Sequence, residues 1–239
     1  MRIHFIVHEY FEAPGAYETW ANKAGHQVTF SRVYLGETLP NDVTGIDFLI
    51  VMGGPQDPAT TREACPHFDS VGEQAVIAAA VAAGKVVIGI CLGSQLIGEA
   101  LGASFSHSPE REIGKFPVTL TDAGKAHPLF SHFGDVLDVG HWHNDMPGLT
   151  QDAQILAFSE GCPRQIVAYS DRVFGFQCHM ELTTDVVERL IQHSEHELSR
   201  AAEYRFVDTP ETLRNHDYDE MNQVLYAFLD KVSAVYLGH

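Results

Sequence analysis

The sequence predicts an α/β fold: a doubly wound, mostly parallel sheet flanked by helices on both faces. Two short segments of unbroken hydrophobicity carry that prediction, Phe48-Leu49-Ile50-Val51-Met52 and Val86-Val87-Ile88-Gly89-Ile90. Strands apolar on both sides belong in the middle of a parallel sheet covered by helices. Between them, residues 68–83 have helical spacing and stop at Gly84, the residue type expected just past a helix end. Strand, helix and strand in that order make one βαβ unit.

The remaining elements follow along the chain. Residues 3–7 read as a first strand, 15–24 as a helix and 27–33 as an alternating second strand. From 103 to 176 the character changes to short β-prone pieces at 116–120, 136–139, 155–158, 165–169 and 173–176, parted by turn residues. These read as sheet extensions and hairpins rather than further βαβ units. After Glu181 the chain turns helical, with Val186, Val187, Leu190 and Ile191 on one face behind Thr183 or Thr184 as N-cap. A last helix from about Asp219 carries Met221, Val224, Leu225, Phe228, Leu229, Val232 and Tyr236 at three-four spacing, a stripe read as packing on the domain rather than as a dimer face. No repeat or flexible linker divides residues 1–239, which read as a single domain with a core of about 1–190 and a helical extension of about 205–239.

Composition excludes several function classes. With 45% apolar residues, the 239-residue chain can bury one sizeable core. Fifteen Lys and Arg against 32 Asp and Glu leave a net charge of −17, which argues against nucleic acid or an anionic membrane as partner. The longest apolar run, residues 75–83, is about half of a membrane span. His4, His8 and Glu9 interrupt the amino-terminal apolar run that a secretory leader needs. Four cysteines make no disulfide framework, so the thiols read as reduced and the location as cytoplasmic.

Chemistry concentrates in three places. In Gly89-Ile90-Cys91-Leu92-Gly93 a buried strand runs directly into a helix, and glycines on both sides of Cys91 allow a sharp turn that lifts the thiol above the sheet. At a helix N-terminus the thiolate is favoured, and the Leu92 N–H is placed to donate to an oxyanion. Taken alone, the same residues also suit a structural cysteine. In Gln177-Cys178-His179-Met180-Glu181 an extended backbone would put His179 and Glu181 on one side and turn Cys178 toward the core. A carboxylate that accepts one ring N–H fixes the tautomer and frees the other nitrogen to act on a thiol. The third place, Met52-Gly53-Gly54-Pro55, follows a central strand at the sheet edge where α/β proteins put their sites. There the Gly54 N–H is expected to be the second oxyanion donor, with Gly53 as the fallback.

These three segments, 52–55, 89–95 and 177–181, resemble the class I (triad type) glutamine amidotransferases in content, order and spacing, with 88 residues from Cys91 to His179. The likeness covers roughly the first 190 residues and is nearest to stand-alone proteins similar to the amidotransferase domain of GMP synthase. It implies a flavodoxin-like sheet, glutamine as donor and no cofactor. It further implies Cys91, His179 and Glu181 as catalytic triad and Gln95 as a glutamine contact one turn after the nucleophile. The stretch 112–118, with Gly114, Lys115 and Phe116, resembles the family's segment that holds the glutamine α-carboxylate and amine. His141-Trp142-His143-Asn144-Asp145 resembles a pocket-wall segment and places His143 at the substrate. Lys115, Cys178, Met180 and Ser94 depart from the family's usual residues, and all four border the pocket.

His141, His143 and Asp145 alternate along one strand face and so present a candidate metal set, but the resemblance implies a pocket wall, and no metal is expected. The expected chemistry is hydrolysis of glutamine, or of another small γ-glutamyl compound, through a thioester. Residues 1–239 contain no Ser-Gly-Gly-x-Asp-Ser pyrophosphate loop, so ammonia would go to a separate synthetase subunit. A free-standing γ-glutamyl peptide hydrolase and a non-catalytic binding module are the alternatives. An α/β-hydrolase is disfavoured, because there the acid precedes the histidine by tens of residues.

Overall fold

The computed structural model describes residues 1–238. Its elements are β1 (Arg2–Val7), α1 (Ala16–Lys23), β2 (Gln27–Arg32), β3 (Phe48–Val51), α2 (Ser70–Ala82), β4 (Val86–Ile90), α3 (Leu92–Ala100), β5 (Ser106–Leu120) and α4 (Asp122–Ala126). They continue with β6 (Val136–Met146), β7 (Gln154–Phe158), β8 (Ile166–Ser170), β9 (Val173–Phe176), α5 (Thr184–His193), α6 (Glu195–Leu198), β10 (Phe206–Val207), α7 (Pro210–Asn215) and α8 (Asp219–Leu237).

Five strands pair in parallel in the spatial order β2-β1-β3-β4-β9, the flavodoxin-like doubly wound order. Every residue of β3, β4 and β9 is buried, as unbroken apolar runs require of central strands. Beyond β9 the sheet becomes antiparallel through β8, β7 and β5, with β6 also on β5.

Two strands are far longer than their apolar centres suggested. β5 starts at Ser106 and β6 runs on to Met146; they pair antiparallel along their length, with a register shift between His107 and Glu112. Charged residues on this long hairpin hide its β character, since cross-strand pairing rather than hydrophobicity holds the arm. Asp69 and Thr183 cap α2 and α5 with their side chains.

The carboxyl-terminal segment belongs to the core. Met221, Leu225, Phe228, Leu229 and Val232 of α8 are fully buried, and the Phe228 ring lies 5.4 Å from that of Phe174 and 5.3 Å from that of Phe176. Truncating such a ring typically costs about 3–5 kcal/mol. Just before α7, β10 adds to the edge of β5 in parallel, pairing Phe206 with Glu112 and Val207 with Ile113. His239, the last residue of the expected extension, lies outside the described residues.

Candidate active site

The carboxyl ends of β1, β3, β4 and β9 converge beside the point where the strand order reverses, the usual ligand position in a doubly wound sheet. From β4 the chain enters α3 through Cys91, whose φ of 49° and ψ of −108° make it the one non-glycine residue with positive φ among those described. Conformations of this kind cost of order 1–3 kcal/mol and persist where their surroundings dictate them. Here the flanking glycines do so. A Cβ on Gly89 would sit 2.3 Å from the Gly93 carbonyl, and one on Gly93 only 2.1 Å from the Val51 carbonyl oxygen. Only glycine at both positions lets α3 close onto β3 and β4.

After β9 the chain leaves regular strand geometry, and the His179 N–H donates to the Gly140 carbonyl at 2.7 Å. The expected extended strand is therefore replaced by a bridge. The two side chains meet all the same: His179 Nδ1–H donates to Glu181 Oε1 at 2.7 Å, with both groups buried. His179 Nε2 is buried and makes no hydrogen bond, while the Cys91 thiol, 3.8 Å from the Trp142 carbonyl, is near enough to raise the affinity of the ring for a proton. Two distant elements clamp this loop. Asn222 of α8 donates to the carbonyls of Met180 (2.7 Å) and Leu182 (3.1 Å), and the Ala16 N–H of α1 donates to that of Glu181 (3.0 Å).

Burial works against an imidazolium at His179, but Glu181 and then Cys91 outweigh it and hold its pKa well above the ordinary value. The helix N-terminus does not make Cys91 acidic on balance. Burial pushes the thiol upward, and His179 and the Leu92 amide offset only part of this. The arrangement is a shielded thiol beside a strong base whose tautomer a carboxylate fixes.

A cavity of about 390 Å³ opens above the sulfur, a size typical of small-molecule sites. Cys91, Gly54, Gln95 and His143 line it. Gly53, behind Gly54, comes so close to Glu12 that a Cβ would lie 2.6 Å from Glu12 Oε2. Gln95 donates to Gln177 Oε1 (3.3 Å), which also accepts from the Ser94 hydroxyl (3.2 Å). Gly114, Lys115 and Phe116 are not in the cavity wall. The extension covers them: the Lys115 N–H and side chain bond to Asp208 and to the Asp217 carbonyl, and the neighbouring Ile113 carbonyl accepts from the Asp208 N–H at 2.7 Å. Cys178 is buried against the Gln165 carbonyl.

Sequence reasoning missed Glu12, Phe11, Arg111, His193, Ser194, His196 and Glu197, all of which line the cavity. Glu12 is 8% exposed and, through burial, is pushed up to about 7 despite the attraction of His179 and His8. A single acid in an aperiodic loop gives no pattern to detect. Arg111, whose guanidinium pairs with Glu197 at 2.8 Å, was hidden in a strand that read as loop.

Glu112, His141 and His143 each aim one ligand atom at a common point, whereas Asp145 pairs with His107 at 2.6 Å. The Gln165 amide fills that point, with its nitrogen 2.6 Å from Glu112 Oε2, 2.9 Å from Ser159 Oγ and 3.2 Å from each imidazole. Burial pushes His141 down to about 3, so this ring is neutral, and its Nε2–H donates to the Phe116 carbonyl. A cation there would have to displace the amide.

Cys91, His179 and Glu181 are thus buried together at the carboxyl edge of a doubly wound sheet. The pattern of the family glutamine amidotransferase class-I matches residues 20–198, and the chain belongs to that family. It is 58% identical over 233 residues to the glutamine amidotransferase-like protein YfeJ of Salmonella typhimurium, covering 98% of each chain. GMP synthase of Edwardsiella ictaluri is 32% identical over 145 residues, 56% of this chain and 25% of that one. Among solved structures, SMU.1228c is 47% identical with a TM-score of 0.96, over 98% of this chain and all of the other. A glutamine amidotransferase from Thermotoga maritima shares the fold at 24% identity, with a TM-score of 0.85 and 97% of each chain covered.

Proposed function

We propose that the protein hydrolyses the side-chain amide of glutamine, or of a small γ-glutamyl compound, through a thioester on Cys91. The observation that carries this reading is the buried His179–Glu181 pair, which leaves one ring nitrogen unpartnered next to Cys91 in its strained elbow. His179 takes the thiol proton as sulfur attacks the carbonyl carbon, and the Leu92 and Gly54 N–H groups hold the oxyanion. His179 then protonates the departing ammonia. Water, activated by the same imidazole, releases glutamate and restores the thiol. Gly53, Gln95 and His143 shape the glutamyl subsite, and Arg111 supplies a cation for the substrate α-carboxylate. Gly114, Lys115 and Phe116 support that wall from behind, because the extension occupies their backbone.

The ammonia would pass to a separate synthetase subunit in the cytoplasm, a reading supported by the likeness to one part of GMP synthase. No helix among the described residues is long and apolar enough to cross a membrane. One observation favours a free-standing γ-glutamyl hydrolase instead: the cavity continues past Gln95 to His193, His196 and Glu197, leaving room for a leaving group larger than ammonia. Glutamate release from glutamine and a panel of γ-glutamyl amides and peptides separates the two readings. Cys91→Ala is expected to stay folded and release none. Release by that variant at the parent rate would overturn the mechanism.

A further inference from the structure

Behind the Gly53–Gly54 turn lies a buried pair that the mechanism above does not use. His8 directly follows β1, Glu73 sits in the first turn of α2, and neither is exposed to solvent. His8 Nε2 is 2.7 Å from Glu73 Oε2, and His8 Nδ1 is 2.9 Å from the Gly53 carbonyl oxygen. A carbonyl oxygen only accepts, so Nδ1 carries a proton and donates it there. The Phe68 ring closes this corner edge-on, 5.7 Å from the imidazole.

We propose that His8, oriented by Glu73, is a positioning residue: it locks the Gly53–Gly54 peptide so that the Gly54 N–H turns into the cavity lined by Cys91. The assignment rests on reading the site as thioester-forming. In a planar trans peptide the C=O and N–H point in opposite directions, so holding the Gly53 oxygen toward His8 aims the Gly54 hydrogen away from it. Glycine on both sides leaves this plane free to rotate, and sterics alone choose neither orientation. The His8 hydrogen bond makes the choice. No acceptor among the described residues takes the Gly54 N–H, which remains available to a ligand.

The test compares two double variants that differ only in the donor at position 8. His8→Leu with Glu73→Met removes both polar groups, so that no charge is stranded in the core. His8→Asn with Glu73→Met keeps an N–H near the place of Nδ1. Glutamine hydrolysis gives kcat and KM. Alkylation of Cys91 by iodoacetamide, followed by mass spectrometry, reads thiol reactivity in a displacement that forms no oxyanion. For the Leu variant kcat is expected to fall about 10²–10³-fold, as when one oxyanion donor is lost, with KM and the alkylation rate within about threefold. The Asn variant is expected to recover to within about tenfold of the parent.

Equal losses in both double variants, unchanged turnover in both, or alkylation that falls in step with kcat would overturn the proposal. Should the Leu variant fail to fold, Glu73→Gln decides. Its amide can donate to Nε2 and keep the proton on Nδ1, so turnover is expected within about threefold, and a hundredfold loss counts against the assignment. A parent protein that releases glutamate from no γ-glutamyl compound sinks the reading of the whole site. An active parent with indifferent double variants sinks only the role of His8.

Discussion

Replacing Glu12 by Gln tests the electrostatics of the cavity without changing its shape. Burial keeps the Glu12 proton bound up to about 7, against an ordinary carboxyl value of 4.5. Between these values the folded chain holds a proton that the unfolded chain releases. The stability this contributes is fully present below 4.5 and is lost as pH rises through 7. At about 1.4 kcal/mol per unit, the difference amounts to about 3 kcal/mol. Gln does not titrate. Urea unfolding of both proteins from about pH 4.5 to 8 should therefore show the variant gaining about 3 kcal/mol on the parent across that window, and no more above it. A gap that stays constant within about 0.5 kcal/mol, or that moves the other way, would refute a buried, proton-holding Glu12.

Two further substitutions probe the site's supports. Cys91→Gly should be more stable than Cys91→Ala by about 1–2 kcal/mol in urea unfolding, since both lose the thiol but only alanine keeps the strained positive φ; equal stability would mean that the elbow holds no strain. Asn222→Leu strips the donors from the Met180 and Leu182 carbonyls and should cost about 1–3 kcal/mol, with kcat for glutamine reduced more than KM is raised. Unchanged unfolding and turnover would show that α8 does not clamp the catalytic loop.

The central strands were legible because their signal is local. Residues 48–52 and 86–90 are apolar without interruption, and the structure buries both β3 and β4 completely. Cys91 stood out because glycines at i−2 and i+2 mark a turn that other residues would block, and the spacings in the structure show that block directly. His179 and Glu181 were readable as a pair for a different reason than the one they obey. The strand ends at Phe176, and what brings imidazole and carboxylate together is a loop pinned by Gly140, Ala16 and Asn222. The long arms of β5 and β6 escaped notice because polar residues occupy both strands, and pairing along a hairpin leaves little trace in hydrophobic pattern.

Periodicity and glycine placement by themselves determined the doubly wound sheet and the elbow at Cys91, because each depends on neighbours within a few residues; they singled out His179 and Glu181, but a loop pinned by distant residues is what joins that pair. Tertiary structure alone decided that residues 206–208 would cover the edge of β5, and that Glu12, His8 and Glu73 would gather around Gly53 and Gly54. Those contacts join segments tens to hundreds of residues apart, and a side chain's partner across such a distance is set by packing in three dimensions, which no local pattern encodes.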